Sequence, residues 1–168
     1  MKITLDTNVL VSAFISKKGN PAKILNLIAD IDGIQLILSE EILDEFKDVL
    51  SREKIKEVFG WKQKDIDDIV KTVRDAAVIV KVKSDFKTVN EDSNDDMVLN
   101  TAYDGKCDYI VSGDKHLKNL KIFKGIKILP PKNMIDEIVE KFKEFIIPID
   151  RIEIVKGTII IKGGKTEF

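Results

Sequence analysis

Lys2-Ile3-Thr4-Leu5-Asp6-Thr7-Asn8-Val9-Leu10 is the stretch that decides the fold. It begins as an apolar strand over Lys2–Asp6, ends on a carboxylate, and passes with almost no linker into a helix expected over Asn8–Ile15. A strand that runs straight into a helix is the first half of a βαβ unit, and open α/β sheets place their ligands at the carboxyl ends of such strands. The same grammar repeats downstream. Strands are expected at Ile34–Leu38, Val78–Val82, Tyr109–Ser112 and Ile126–Leu129. Helical periodicity fits Pro21–Ile31, Glu40–Ser51, Gln63–Asp75, Asn94–Tyr103 and Asn133–Phe145. Alternation of short apolar runs with helix-period segments predicts an α/β chain, a three-layer α/β/α sandwich around a central parallel sheet.

Two segments depart from the pattern. Residues 52–64 are amphipathic but broken at Gly60-Trp61, which predicts a short helix and a turn. From Ile146 the chain alternates in polarity, turns at Lys156-Gly157 and returns as Thr158-Ile159-Ile160-Ile161, the pattern of a β-hairpin. The organisation expected is one α/β domain over 1–146 and a C-terminal hairpin extension over 147–168. The apolar face of that hairpin needs a cover, and a two-fold homodimer with the hairpin at or near its interface is the expected solution.

Bulk composition narrows the function. The 168 residues carry 28 basic and 29 acidic side chains, a net charge of −1. Nucleic-acid-coating domains usually have pI values above about 9, so any nucleic acid must be held by a local patch and by metal. Cys107 is the only cysteine, which excludes a disulfide framework and a thiolate zinc cluster. No apolar run approaches the ~20 residues that cross a bilayer, and the first five residues run into a strand without room for a signal peptide. The expectation is a cytoplasmic protein that does not enter the membrane.

Four acids stand out from the rest. Asp6 and Asp114 each follow an apolar strand, the latter through Ser112-Gly113. Asp95 shares the angular sector of Val98, Leu99 and Ala102, so it faces the core side of its helix, where the positive helix end favours a carboxylate. Glu45 lies on the border of the stripe formed by Ile42, Leu43, Phe46, Val49 and Leu50, whereas Glu41, Asp44 and Asp48 lie farther round toward solvent. Carboxylates brought together repel, and the usual relief is a divalent cation with hard oxygen ligands such as Mg²⁺ or Mn²⁺. Such a cluster fits hydrolysis of a phosphodiester bond, where metal activates water and shields the leaving oxygen. Near these acids, Asn8 either caps the next helix or holds the Asp6 carboxylate, and Ser112 can hydrogen-bond a phosphate oxygen or bound water. Asp96 reads as a capping or dipole-pairing acid, His116 as a loop residue, Cys107 as a small buried residue, and the lysines at 115, 118, 121, 124 and 127 as a solvated face or a phosphate track.

Taken together, Leu5-Asp6-Thr7-Asn8-Val9-Leu10, Ile42-Leu43-Asp44-Glu45, Asp92-Ser93-Asn94-Asp95 with Leu99 and Ala102, and Tyr109-Ile110-Val111-Ser112-Gly113-Asp114 resemble the PIN-domain family. The likeness is to its branch of toxins from toxin–antitoxin pairs, related to the VapC-like ribonucleases, and covers roughly residues 1–130. It implies a Rossmann-like fold and an Mg²⁺- or Mn²⁺-dependent endoribonuclease with RNA as substrate and an antitoxin protein as partner. It puts catalytic and metal-holding roles on Asp6, Glu45, Asp95 and Asp114, and supporting roles on Asn8, Asp92 and Ser112. Two alternatives compete: a non-catalytic PIN-like scaffold that binds RNA or protein, and a phosphatase or phospho-receiver. A phosphatase of the haloacid-dehalogenase type wants a second Asp where Asn8 stands, and a receiver wants paired acids, and neither pattern is present.

Overall fold

The structure is a computed structural model that describes residues 1–88, 93–143, 152–155 and 158–161; of position 93 and of the last two stretches it describes the backbone alone. The elements run β1 (Lys2–Leu5), α1 (Thr7–Ile15), α2 (Asn20–Asp30), β2 (Gln35–Ser39), α3 (Glu40–Leu50), α4 (Glu53–Phe59), α5 (Gln63–Ala76), β3 (Ala77–Val80), α6 (Ser93–Asp104), β4 (Tyr109–Val111), α7 (Lys115–Leu120), β5 (Ile122–Phe123), β6 (Ile126–Leu129), α8 (Pro131–Phe142), β7 (Ile152–Val155) and β8 (Thr158–Ile161). Every strand and helix expected from the periodicity is present with its ends moved by at most three residues, the largest shift being in α8, expected to reach Phe145 and ending at Phe142.

Strands β1 to β6 form a single sheet in the order β3-β2-β1-β4-β6-β5. All neighbours are parallel except β5 and β6. β1 and β4 lie at its centre, paired Ile3 to Tyr109, Thr4 to Ile110 and Leu5 to Val111. Their burial on both faces explains why they read as unbroken apolar runs. Strand order turns back between them: the chain steps outward from β1 to β2 to β3, then returns to place β4 on the other side of β1. That reversal is a topological switch point, where the connections at the carboxyl edge diverge and open a crevice.

The layers follow from side-chain alternation. In β2, Leu36 faces a groove shared with α1, α2 and α5. Its neighbour Ile37 faces the other way, toward Gly105 at the end of α6. Right-handed crossovers put α6, which connects strands in the reverse direction, on the face opposite the α1–α5 connections. There α6 lies over β1, β2 and β4. A Cβ on Gly105 would sit 2.4 Å from Ile37 Cγ2 and 3.0 Å from the Thr101 carbonyl oxygen, so only glycine allows this approach. Ile3, Leu5, Leu38, Ile42, Phe46, Leu99 and Ile110 are fully or almost fully enclosed and make the core that holds the layers together.

Some assignments differ from expectation. His116 and its neighbours form the short helix α7, not a loop, because Asp114 accepts from the His116 amide and starts a turn. The two-residue strand β5 is too short to show a period, and it pairs antiparallel at the sheet edge. Asp96 stands in the first turn of α6, where a carboxylate suits the helix dipole, and its carboxylate also accepts from the Thr88 amide at 2.8 Å. Asp96, Asn100 and Asp104 fall one helical turn apart and hold the segment after β3 along α6: Asn100 accepts from Phe86 N at 2.9 Å, and Asp104 accepts from Lys83 N at 2.5 Å, Ser84 N at 2.8 Å and Ser84 Oγ at 2.8 Å. Near the end of the chain β7 and β8 pair antiparallel, Ile152 with Ile161 through Val155 with Thr158, as expected of a hairpin. Its turn at positions 156 and 157 and its remaining flanks lie outside the described residues. Among the described residues no helix is long and apolar enough to cross a membrane.

Candidate active site

Asp6 leaves β1 in extended geometry and becomes the N-cap of α1, its Oδ1 accepting from Asn8 N at 3.0 Å. Of the two expectations for Asn8, the cap is supplied by Asp6 instead, and Asn8 holds the Asp6 carboxylate through its backbone amide, with its side chain exposed. The other carboxylate oxygen of Asp6, Oδ2, accepts from Ser112 Oγ at 2.6 Å. Ser112 is completely enclosed and Asp6 only 5% exposed, so this charge-assisted bond is made out of water. Ser112 Oγ also accepts from Asp114 N at 3.0 Å. One hydroxyl therefore joins the two strand-end acids across the switch point. Asp114, half-buried, caps α7 with the same geometry that Asp6 shows on α1, accepting from His116 N at 2.6 Å.

The helical acids stand on two helices of opposite layers. Glu45 on α3 accepts from Thr7 Oγ1 at 2.5 Å and from Asn94 Nδ2 at 2.6 Å. Thr7 follows Asp6 and Asn94 precedes Asp95, so one glutamate bridges the carboxyl end of β1 to the first turn of α6. Asp95 is 7% exposed and buried beside Val98, Leu99 and Ala102, as its angular position requires. The two carrier helices are tied below: Ser39, the N-cap of α3, accepts from Thr101 Oγ1 of α6 at 3.0 Å, both residues fully buried.

Asp6, Ser112 and Asp114 are thus joined in one hydrogen-bonded chain and Thr7, Glu45 and Asn94 in another, both at the carboxyl edge of the sheet, while Asp95 follows Asn94 in the first turn of α6. Asn8 is brought there too, since with Ser12, Gly113 and Asp114 it lines a cavity of about 310 Å³ at that edge. Asp92 lies outside the described residues. Two residues escaped the sequence reading, Thr7 and Asn94. Their signal was adjacency: each sits beside a candidate acid at the first turn of a helix, where a short polar side chain has a backbone role to occupy it and so draws no notice.

The donors that face this crevice are oxygens of carboxylates, with hydroxyl and amide groups behind them, a set suited to Mg²⁺ or Mn²⁺ and poorly suited to softer ions. Among the described residues no three His, Cys, Asp or Glu side chains are grouped so as to enclose an ion by themselves. Mg²⁺ ordinarily keeps several waters and is bound through one or two carboxylates plus substrate phosphate. The donor chemistry fits such an ion; the side chains do not form a closed cage.

Comparisons with known proteins agree with this fold. A family model described as PIN domain matches residues 2–116. An uncharacterized protein of Methanocaldococcus jannaschii is 33% identical over 154 residues, spanning 87% of this chain and 94% of its own. Among solved structures, VapBC2 from Rickettsia felis, bound to a DNA fragment from its promoter, superposes with a TM-score of 0.53 at 16% identity, covering 76% of this chain and 97% of that one. VapBC-1 from nontypeable Haemophilus influenzae gives a TM-score of 0.53 at 11% identity, covering 79% and 99%. At those identities the likeness to the two structures is one of fold.

Proposed function

The chain belongs to the PIN-domain family, and from that premise we propose that it is a metal-dependent endoribonuclease that hydrolyses RNA phosphodiester bonds at Asp6, Glu45, Asp95 and Asp114. The observation that carries the reading is the pair of hydrogen-bonded chains, Asp114 N to Ser112 to Asp6 and Thr7 to Glu45 to Asn94, which hold strand-end and helical acids at the switch point. Two of the acids are almost fully buried. Keeping carboxylates out of water beside one another costs stability, a cost that a purely structural surface acid does not carry.

In this mechanism Asp6, Glu45, Asp95 and Asp114 would hold Mg²⁺ or Mn²⁺. When bound, the ion lowers the pKa of a coordinated water and shields the leaving oxygen. The chain's own residues set the geometry. Ser112 fixes the Asp6 carboxylate so that one oxygen stays on the α1 amide and the other stays on the β4 side. Thr7 and Asn94 restrain both oxygens of Glu45, limiting its rotation between the layers. Asn8 and Asp114 border the cavity through which a phosphate would approach, and Asp92 is assigned the supporting role that its place before Asp95 implies.

The proposed context is that of a cytoplasmic toxin partnered by an antitoxin protein, on the strength of family membership and a fold shared with the two VapBC proteins. The test is cleavage of a mixed RNA pool with Mg²⁺ or Mn²⁺ and with EDTA. Cleavage is expected only with metal, and Asp6→Asn or Asp95→Asn should nearly abolish it. EDTA-resistant cleavage, or full activity in both variants, would overturn the mechanism, and RNA binding without cleavage would favour a scaffold instead. An adjacent, overlapping reading frame for a small DNA-binding protein, whose product relieves growth arrest on co-expression, is the expected sign of the antitoxin.

A further inference from the structure

At the opposite edge of the sheet, where β4 and β6 begin, lies a second cavity of about 510 Å³. Its chemistry is the reverse of the acid crevice: Lys106, Lys124, Lys127 and Lys141 line it together with Tyr103 and Tyr109. In a chain with a net charge of −1, four ammonium groups around one hollow are a local concentration, not a reflection of composition. Two of them converge on one ring, with Lys141 Nζ 4.9 Å and Lys127 Nζ 5.8 Å from the Tyr109 centroid.

Neutralisation from within is partial. Glu137 accepts from Tyr109 OH at 2.6 Å and lies 3.8 Å from Lys127 Nζ. Asp108, the acid in the lining, has its Oδ2 turned to the Lys2 amide at 2.8 Å. Lys106 and Lys124 form no ion pair among the described residues. Both also occupy backbone conformations that favour glycine, with φ of 53° and 50°, and Lys124 is followed by Gly125 at 87°. Lys124 Nζ lies 5.4 Å from the centroid of the Phe86 ring, which itself packs edge-on against Tyr103, so this ammonium stands at an aromatic wall beside the hollow. Of the five lysines spaced three apart from 115 to 127, only Lys124 and Lys127 share this hollow; Lys115 and Lys118 lie on α7.

We propose that this cavity binds phosphate groups, those of an RNA strand or of a free nucleotide, with the lysines taking the phosphates and the exposed ring of Tyr103 offering a stacking face for a base. The volume is in the range of nucleotide-sized pockets, and stacking on aromatic rings beside basic residues is the usual way of holding single-stranded nucleic acid without sequence readout. The site goes beyond the cleavage proposed above and stands whether or not the acids at the other edge cut RNA.

The test uses the full chain in EDTA, with a short fluorescein-labelled single-stranded RNA, ATP and inorganic phosphate as separate probes. The variant is Lys106→Gly combined with Lys124→Gly, chosen because both backbones accept glycine. Its melting temperature should not fall, whereas RNA affinity should fall about tenfold and the slope of log affinity against log salt should drop by roughly 1.4, about 0.7 for each lost contact to a single strand. Loss on RNA alone identifies a strand as the occupant, and parallel loss on ATP and phosphate identifies a nucleotide. The same fold loss should appear when the two lysine changes are made in an Asp6→Asn background, which separates this site from the acid crevice. Wild-type affinity and salt slope in the double variant, or no binding of any probe by the wild type, would overturn the proposal.

Discussion

Ser112→Ala isolates the one contact that joins both strand-end acids. The substitution removes a hydroxyl that is completely enclosed, donates to Asp6 Oδ2 at 2.6 Å and accepts from Asp114 N at 3.0 Å. A hydrogen bond to a charged group contributes about 1.5–3 kcal/mol, and an amide stripped of its acceptor costs on the order of 1 kcal/mol more. The methyl of alanine fits the space, so no overpacking offsets the loss. The expected destabilisation is about 3 kcal/mol, which lowers the melting temperature of a chain of this size by about 6–12 °C. Calorimetry or urea denaturation measures it, with the exposed Ser12→Ala as a control expected to stay within about 0.5 kcal/mol of wild type. A double-mutant cycle gives the decisive reading. In an Asp6→Asn background the same Ser112→Ala change should cost at least ~1 kcal/mol less, because the bonded carboxylate charge is already gone. A loss below about 0.5 kcal/mol, or an equal loss in both backgrounds, would show that Ser112 does not hold Asp6 in the way argued.

Asp104→Ala should free the segment after β3 from α6 and cost about 2–3 kcal/mol, since three accepted hydrogen bonds go at once; hydrogen exchange at the Lys83 and Ser84 amides should speed up. The Lys83 and Ser84 amides also hold the Asp104 carboxyl below its ordinary 3.8. Its contribution is therefore fully present above that pH and is lost as pH falls below it, and the acid-unfolding midpoint of Asp104→Asn should show less of this dependence. Burial pushes the Cys107 thiol up to about 12, so at pH 8 the native protein should resist iodoacetamide and react only on unfolding; prompt modification of the folded chain would contradict its placement. Gly105→Ala should destabilise by about 1–3 kcal/mol, because the added methyl meets Ile37 and the Thr101 carbonyl. Deleting residues 147–168 should change the mass seen by light scattering from dimer to monomer, and an unchanged, soluble oligomer would remove the hairpin from the proposed interface.

Much of this protein was legible in one dimension. Strand and helix periods differ, so β1, β2, β3, β4 and β6 and the helices α1 to α6 and α8 could be read from side-chain order alone, and the acids after β1 and β4 from their place at strand ends. Asp95 was legible because helical angle alone puts it beside Leu99. Elements shorter than their own period were not: α7 spans six residues and β5 two. What no linear pattern holds is which strand lies beside which. Only the order β2-β1-β4 makes Asp6 and Ser112 neighbours although 106 positions separate them. Glu45 gave a border position and nothing more; its selection over Asp44 and Asp48 follows from α3 and α6 being tied together at Ser39 and Thr101, which brings Asn94 within reach. Asp96 was legible as a first-turn acid of α6; that it also holds the Thr88 amide depends on a returning segment that linear order does not place there. Local periodicity decides which way a side chain faces. Which partner it meets there depends on contacts made far along the chain, and these exist only once the sheet has closed on its switch point.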